Sequence, residues 1–230
     1  MADTAKLSII IPTLDEAATI EALLAQLSPW NAQGVELLVV DGGSLDETVS
    51  RASSLASRVI VSEAGRARQM NTGAREARAG HLLFLHADTR LPRDADRLIA
   101  SALSSEHCWG RFDVRLEGRH PLLPIIAWAM NLRSRLTGIA TGDQAIFMTR
   151  EAFAAAGGFP DQPLMEDIEM SRRLKHQSSP SCLRARVTSS GRRWERAGAW
   201  RTLLLMWQLR WRYWRGTPAD DLARAYRHVR

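Results

Sequence analysis

The sequence predicts an α/β fold: a mostly parallel, mixed sheet flanked by helices, with a helical appendage at the C-terminus. Three observations carry that expectation. The runs Leu37-Leu38-Val39-Val40 and Leu82-Leu83-Phe84-Leu85 are continuously apolar, which marks strands buried on both faces. Strand-like and helix-like segments alternate through the first half with short connections, the pattern of a parallel sheet. The two runs lead into Asp41 and Asp88, and the carboxyl ends of such strands form the ligand crevice.

The elements follow in order. A first strand is expected over residues 7–11, stopped by Pro12. Asp15 or Thr13 can cap a helix that runs through Leu27, with Ile20, Leu23, Leu24 and Leu27 at helical spacing. Residues 35–40 read as the second strand, Gly42-Gly43-Ser44 as a turn, and 46–56 as a helix. Residues 58–62 form a short strand, 66–79 a polar helix ended by Gly80, and 81–85 the fourth strand. Pro92 opens a further helix at its first turn. The pattern then changes: 110–116 alternates, 121–136 is an amphipathic helix, 145–149 a strand, 166–175 a charged helix and 182–187 a last strand. From residue 197 two helices are expected, broken at Gly216-Thr217-Pro218.

With 230 residues, 45% hydrophobic and 24% charged, the chain can bury one substantial core. The expected division is a domain over 1–195, with halves at 1–105 and 106–195, and C-terminal helices over 196–230. Charge is unevenly spread. Residues 1–171 hold 16 Lys+Arg against 22 Asp+Glu, whereas 172–230 hold 15 against 3. A basic end of that kind suits phosphates or an anionic membrane. Nucleic acid is not expected, because no reader motif accompanies the charge. Residues 1–8 show no secretory signal, and the longest apolar stretch, 121–130, falls short of the ~20 residues that span a bilayer. Cys108 and Cys182 read as reduced thiols, and the expected location is cytoplasmic.

Several residues suggest chemistry on their own. A carboxylate at a strand end can accept a base N–H or a ribose hydroxyl, and Gly42 and Gly43 let a ligand approach backbone. Neither G-x-G-x-x-G nor G-x-x-x-x-G-K occurs, against a dinucleotide or ATPase reading. Asp88 suits a hard divalent cation that borrows further oxygens from phosphates.

The segments Ser8-Ile9-Ile10-Ile11-Pro12-Thr13-Leu14-Asp15-Glu16 and Val39-Val40-Asp41-Gly42-Gly43-Ser44-Leu45-Asp46-Glu47-Thr48 resemble the opening of the family 2 glycosyltransferases. That family's nucleotide-sugar domain is the GT-A fold, so the resemblance implies a donor site including Pro12, Leu14, Glu16, Asp41, Gly43 and Ser44. The stretch 65–74 is similar to the family's next segment. It implies that Asn71 and a basic residue face the nucleotide, Arg66 or Arg68, against the plain alternative of two solvated arginines. His86-Ala87-Asp88 stands where the family has Asp-x-Asp, which makes Asp88 the ligand for Mg2+ or Mn2+. His86 replaces the first aspartate, either as a contact to metal or ribose or as a histidine satisfied by backbone. Leu164-Met165-Glu166-Asp167-Ile168-Glu169 looks like the family's Glu-Asp segment, which implies Asp167 as the base that deprotonates the acceptor, with Glu166 beside it. Thr141-Gly142-Asp143-Gln144 is similar to a segment on the acceptor side, implying contacts from Asp143 and Gln144. Residues 156–160 also match the family, as a turn of backbone geometry alone. Gly191-Arg192-Arg193-Trp194 resembles the Arg-Trp end of Gln-x-x-Arg-Trp, with Ser190 in place of glutamine. That spelling implies Arg193 and Trp194 near the diphosphate or acceptor, and transfer of one sugar rather than polymerisation.

The resemblance spans nearly the whole chain and is closest to the small bacterial arsenosugar-biosynthesis or selenodomain-associated subgroup. It implies an inverting, metal-dependent enzyme that moves one sugar from a UDP-sugar or GDP-sugar to a small-molecule or lipid-linked acceptor. Two other readings compete. One is a sugar-phosphate nucleotidyltransferase, which lacks support because no basic, glycine-rich loop follows the first strand. The other is a non-catalytic nucleotide-binding adaptor at a membrane surface. Trp200, Trp207, Trp211 and Trp214 lie among arginines, which suits peripheral contact with the inner face of a membrane. The competing expectation is an aromatic stripe docked on the domain or on a second copy in a homodimer.

Overall fold

The computed structural model describes residues 6–103 and 106–227; the expectation about a secretory segment falls largely on residues outside that range. Eight strands form one sheet: β1 (Leu7–Thr13), β2 (Glu36–Asp41), β3 (Arg58–Val61), β4 (His81–Phe84), β5 (Thr89–Arg90), β6 (Trp109–Glu117), β7 (Phe147–Thr149) and β8 (Ser181–Ser190). Their order is β3-β2-β1-β4-β7-β6-β8-β5. Strands β3, β2, β1 and β4 run parallel, β7 is antiparallel to both its neighbours, and β6 and β8 are parallel again. The helices are α1 (Ile20–Asn31), α2 (Thr48–Ser53), α3 (Arg66–Glu76), α4 (Ala95–Ala102), α5 (Leu123–Thr137), α6 (Arg150–Ala155), α7 (Glu166–Lys175), α8 (Arg192–Ala197), α9 (Ala199–Trp214) and α10 (Ala219–Arg227). A 3₁₀ turn at Gly142–Gln144 leads into β7. The mixed α/β expectation holds.

Side-chain alternation explains the continuous apolar runs. Ile9 and Ile11 of β1, with Leu37 and Val39 of β2, face one core closed by Ile20, Leu23, Leu24 and Leu27 of α1. Ile10, Leu38 and Val40 face the other, closed by Ala67, Met70 and Ala74 of α3 and by Met170 and Leu174 of α7. With helices on both sides, neither face of the strand can be polar.

Helix α3 crosses the sheet at Gly73, where a Cβ would lie 2.5 Å from Ile10 Cγ2 and 2.9 Å from Val40 Cγ2. Helix propensity alone would favour alanine at such a position by about 1 kcal/mol. Overpacking a core costs about 1–3 kcal/mol, so steric conflict wins for any larger side chain. Gly73→Val is expected to lower the urea unfolding midpoint; an unchanged midpoint would mean that α3 can lift off the sheet freely.

Several expected boundaries move, each for a local reason. Strand β1 continues through Pro12 to Thr13, paired with Val40 and Asp41. The missing N–H of Pro12 falls on the side of β4, whose pairing with β1 has already ended at Ile10 and Phe84. Neither Thr13 nor Asp15 caps α1, which starts at Ile20 without a capping side chain. Helix α2 is shorter than expected because Asp46 takes the Thr48 N–H at 2.9 Å. Helix α3 stops at Glu76, short of Gly80, and the Arg150 guanidinium takes the carbonyls of Ala74, Ala77 and Ala79. Pro92 does not open α4; its carbonyl accepts the Ala95 N–H at 3.2 Å, one turn earlier. Strand β6 does not alternate, since Trp109 to Val114 are all buried and Arg111 is turned inward to Ser134 Oγ at 3.0 Å and to Asp113. Strand β7 loses its first two expected residues because Ala145 is left-handed, with φ of 48°. Cys108 and Cys182 are free.

The C-terminal stripe is also corrected. Leu205, Leu209 and Tyr213 of α9 pack with Met165, Ile168 and Leu222, whereas Trp200, Trp207, Trp211 and Trp214 are exposed. The aromatic stripe is therefore not what docks this helix on the domain.

Candidate active site

The carboxyl ends of β1 and β2 lie side by side, and the loops leaving them are stitched together. The Asp15 N–H donates to Ser44 Oγ (2.9 Å), Leu45 N–H to the Asp15 carboxylate (2.8 Å), Glu16 N–H to Thr48 Oγ1 (2.8 Å) and Ala17 N–H to the Asp46 carboxylate (3.1 Å). Asp15 itself is left-handed, with φ of 54°. Asp41, only 1% exposed, anchors the second loop. Its Oδ2 accepts the N–H groups of Gly43 (2.9 Å) and Ser44 (2.8 Å), and its Oδ1 accepts the Thr13 and Ser44 hydroxyls. The carboxylate thus shapes the turn that carries Gly43 and Ser44. Gln69 of α3 donates to Thr13 O (2.7 Å) and Val40 O (2.8 Å), clamping both strand ends. Nothing in its sequence context marked it. Leu14 is exposed on this rim, and Glu16 accepts the Thr19 hydroxyl at 2.9 Å.

Beside β4 lies a narrow recess, lined by Arg66, Phe84, His86, Gly142, Glu166 and Asp167, with Met70, Ile146 and Phe159 also on its wall. Met165 is left-handed, with φ of 67°, immediately before Glu166 and Asp167 begin α7. A long side chain in that region of backbone space is uncommon and strained, and such strain gathers at functional sites. Glu166 is nearly fully buried and pairs with Arg66 at 3.3 Å. Asp167 accepts the Gly142 N–H at 3.0 Å and the Ile168 N–H at 2.8 Å. Burial first, then the Glu166 charge, push its pKa up to about 6, against the opposing pull of the Gly142 N–H and Arg66.

Asp143 moves the other way. Burial alone would raise it, but the hydrogen bond and charge of His86, then Arg193 and Arg66, hold it down at about 2. His86 Nδ1 lies 3.4 Å from Asp143 Oδ1. Glycine is needed at 142, because a Cβ there would sit 2.4 Å from His86 Nε2. Two carboxylates near one another therefore have opposite proton affinities, the arrangement that separates a proton acceptor from a fixed charge.

Other anticipated residues hold the walls. The Asn71 amide exchanges two hydrogen bonds of 2.8 Å with the Phe159 backbone, fastening the turn before the recess. Gln144 is fully buried and completes a capping box with Thr141. Trp194 packs in the first core, while Arg193 on the same turn lies 5.3 Å from the Tyr226 ring and acts on Asp143 through its charge. Arg68 pairs with Asp161 (2.9 Å) and Glu63 (2.8 Å), so of the two arginines it is Arg66 that lines the recess.

Among the described residues no group of three or more His, Cys, Asp and Glu side chains could hold a metal ion by itself. Asp88 is a partly exposed carboxylate after β4, with Oδ2 3.8 Å from Arg192 Nη2. His86 is turned to Asp143 and Gly142. One carboxylate suits a cation that takes most of its oxygens from a bound diphosphate, and does not suit an all-protein cage.

The model of Glycosyl transferase family 2 matches residues 8–154, from β1 into α6. The chain belongs to this family. Its strands and crevice are those of the GT-A fold, seen also in solved relatives of low identity. This family 2 chain resembles the mannosyltransferase PcManGT from Pyrobaculum calidifontis in complex with GDP-Man and Mn2+, with a TM-score of 0.63 and 22% identity over 80% of this chain and 56% of that one. It also resembles S. aureus TarS 1–349 in complex with UDP-GlcNAc, with a TM-score of 0.63 and 19% identity over 80% of this chain and 58% of that one. In sequence it is 40% identical over 108 residues to a PGL/p-HBAD biosynthesis glycosyltransferase of Mycobacterium bovis, covering 44% of this chain and 42% of the relative. The family 2 chain therefore spans less than half the length of that curated relative.

Proposed function

We propose that the chain transfers a single sugar from a UDP-sugar or GDP-sugar to an acceptor hydroxyl, with inversion at the anomeric carbon. The observation that carries this reading is Asp167, a carboxylate in the recess beside β4 with its proton affinity raised to about 6. A base of that affinity is ionised near neutrality and still strong enough to take a proton. In this reading Asp167 accepts the acceptor's hydroxyl proton as that oxygen bonds to the anomeric carbon and the bond to the diphosphate breaks. Arg66, half exposed and held in its charged form by Glu166, Asp167 and Asp143, faces the diphosphate. The stitched loops carrying Pro12, Leu14, Glu16, Gly43 and Ser44 seat the nucleoside, with Asp41 and Asn71 holding their geometry. Asp143 and Arg193 border the acceptor, backed by Gln144, Glu166 and Trp194.

Asp88 would hold Mg2+ or Mn2+ jointly with the donor diphosphate, and such a cation offsets charge on that leaving group. The complexes of PcManGT with GDP-Man and Mn2+ and of TarS with UDP-GlcNAc support this donor class. Ser190 in place of the processive motif's glutamine supports transfer of one sugar. Within the family, the arsenosugar-biosynthesis or selenodomain-associated resemblance offers a subgroup name and no acceptor. A cytoplasmic setting belongs to the same proposal.

A panel of UDP-sugars and GDP-sugars, with and without Mn2+, tests the donor assignment by thermal shift. Ligand at 100-fold its Kd stabilises by about 2.7 kcal/mol. One donor is expected to raise the melting temperature with the cation and much less after chelation, and Asp88→Ala is expected to remove that difference. No response to any member of the panel would overturn the reading.

A further inference from the structure

Helices α5 and α9 present apolar surface that the fold does not use. On α9, Trp200, Leu204, Trp207, Trp211 and Trp214 recur three and four residues apart, forming one stripe, and they are 58–81% exposed. Ile125, Trp128, Leu132 and Leu136 recur at the same spacing on α5 and are 39–77% exposed. Isolated apolar residues are normal at a surface, but a row of four tryptophans and a leucine marks an interaction site.

Between the two helices lies a shallow, open recess, walled by Trp207, Gln208, Arg210 and Trp211 of α9 and by Arg133 of α5. The Nε and Nη2 atoms of Arg133 are buried and have no hydrogen-bond partner. Burial depresses its affinity for the proton, the Asp167 charge opposes that, and Arg111 adds to it. A guanidinium does not deprotonate in a protein, so its orphaned donors call for an anion rather than for neutralisation. Phosphate is the anion that a guanidinium fork matches best.

We propose that α5 and α9 form one docking face for an anionic lipid membrane, with the tryptophans and leucines entering the headgroup boundary and a lipid phosphate entering the recess at Arg133. Charge decides the occupant. Neither helix contains an acidic residue, whereas α9 carries Arg201, Arg210 and Arg212, and Arg215 follows over the Trp211 ring at 5.3 Å. A second copy docking through the same face would set arginine against arginine across a two-fold axis. Anionic lipid supplies the missing charge, and tryptophan suits the boundary between water and hydrocarbon. No helix among the described residues is long and apolar enough to cross a membrane, so this contact is peripheral. The proposal does not depend on sugar transfer.

Co-sedimentation tests it, using phosphatidylcholine vesicles and vesicles of phosphatidylcholine and phosphatidylglycerol in equal parts. The full chain is expected to sediment with the anionic vesicles at low salt and much less with the neutral ones. The double variant Trp207→Ser, Trp211→Ser is expected to weaken binding at least about tenfold, given the apolar surface each tryptophan would bury. Arg133→Gln, with unchanged circular dichroism, is expected to lose most of the preference for anionic lipid; Arg210→Gln supplies the same readout if Arg133→Gln does not fold. Failure of the folded protein to bind either vesicle would overturn the proposal. So would equal binding to both, or a homodimer in sedimentation velocity that the tryptophan double variant abolishes.

Discussion

Asp167→Asn is expected to reduce sugar transfer by about 10²–10⁴-fold, the usual contribution of a positioned base, while leaving donor binding nearly unchanged. The asparagine keeps the shape and one acceptor for the Gly142 or Ile168 N–H, but it cannot take a proton. The split between lost turnover and retained binding is the informative result. If donor affinity fell in parallel, Asp167 would be acting on the donor instead. The same group has a stability signature. Its folded pKa of about 6 lies above its ordinary value of 3.8, so the folded state keeps a proton that the unfolded chain releases between those values. Stability owed to Asp167 is therefore greatest below about pH 4 and declines as pH rises to about 6, a slope that Asp167→Asn should lack.

The second large effect lies away from the site. Asp113→Ala is expected to destabilise the protein by about 3–5 kcal/mol, enough to threaten folding. Arg111 is fully buried in β6 and pairs with Asp113, whose other oxygen accepts Arg135 at 2.7 Å. Removing the aspartate leaves a buried guanidinium without its counter-charge, and that penalty exceeds anything the pair itself contributes. Urea unfolding measures it directly. Arg111→Met combined with Asp113→Leu is expected to recover part of the loss, because no fully buried charge is then left unpaired and Arg135, the remaining partner, is partly exposed. If Asp113→Ala unfolds at the wild-type urea concentration, water reaches Arg111 and the pair is not a buried one.

Much of this was legible in the sequence, and the reasons differ by element. The parallel half could be read because Ile9 to Ile11 and Leu37 to Val40 need no alternation when both faces are covered. Helix α7 could be read to the residue because its acids gather in the first turn and Arg172, Arg173 and Lys175 in the last. The junction of β1 with α1 could not, because Asp15 bonds to Leu45 rather than to its own helix, a contact between residues 30 apart. Strand β6 misled for a similar reason: Arg111 and Asp113 look like an outward face, yet each is the other's partner inside the core. In the site, sequence identified the acidic residues but not their supports. Gln69 and Gly142 act through neighbours that only the fold brings close.

The pH dependence of kcat/KM for transfer tests the central claim, the role of Asp167, most directly. Because the base must be ionised to accept a proton, activity should be level above neutrality and fall tenfold per pH unit below an apparent pKa of about 6. The residual activity of Asp167→Asn should lack that limb. A wild-type profile that stays flat down to about pH 4, the ordinary range of an unperturbed carboxylate, would contradict the account.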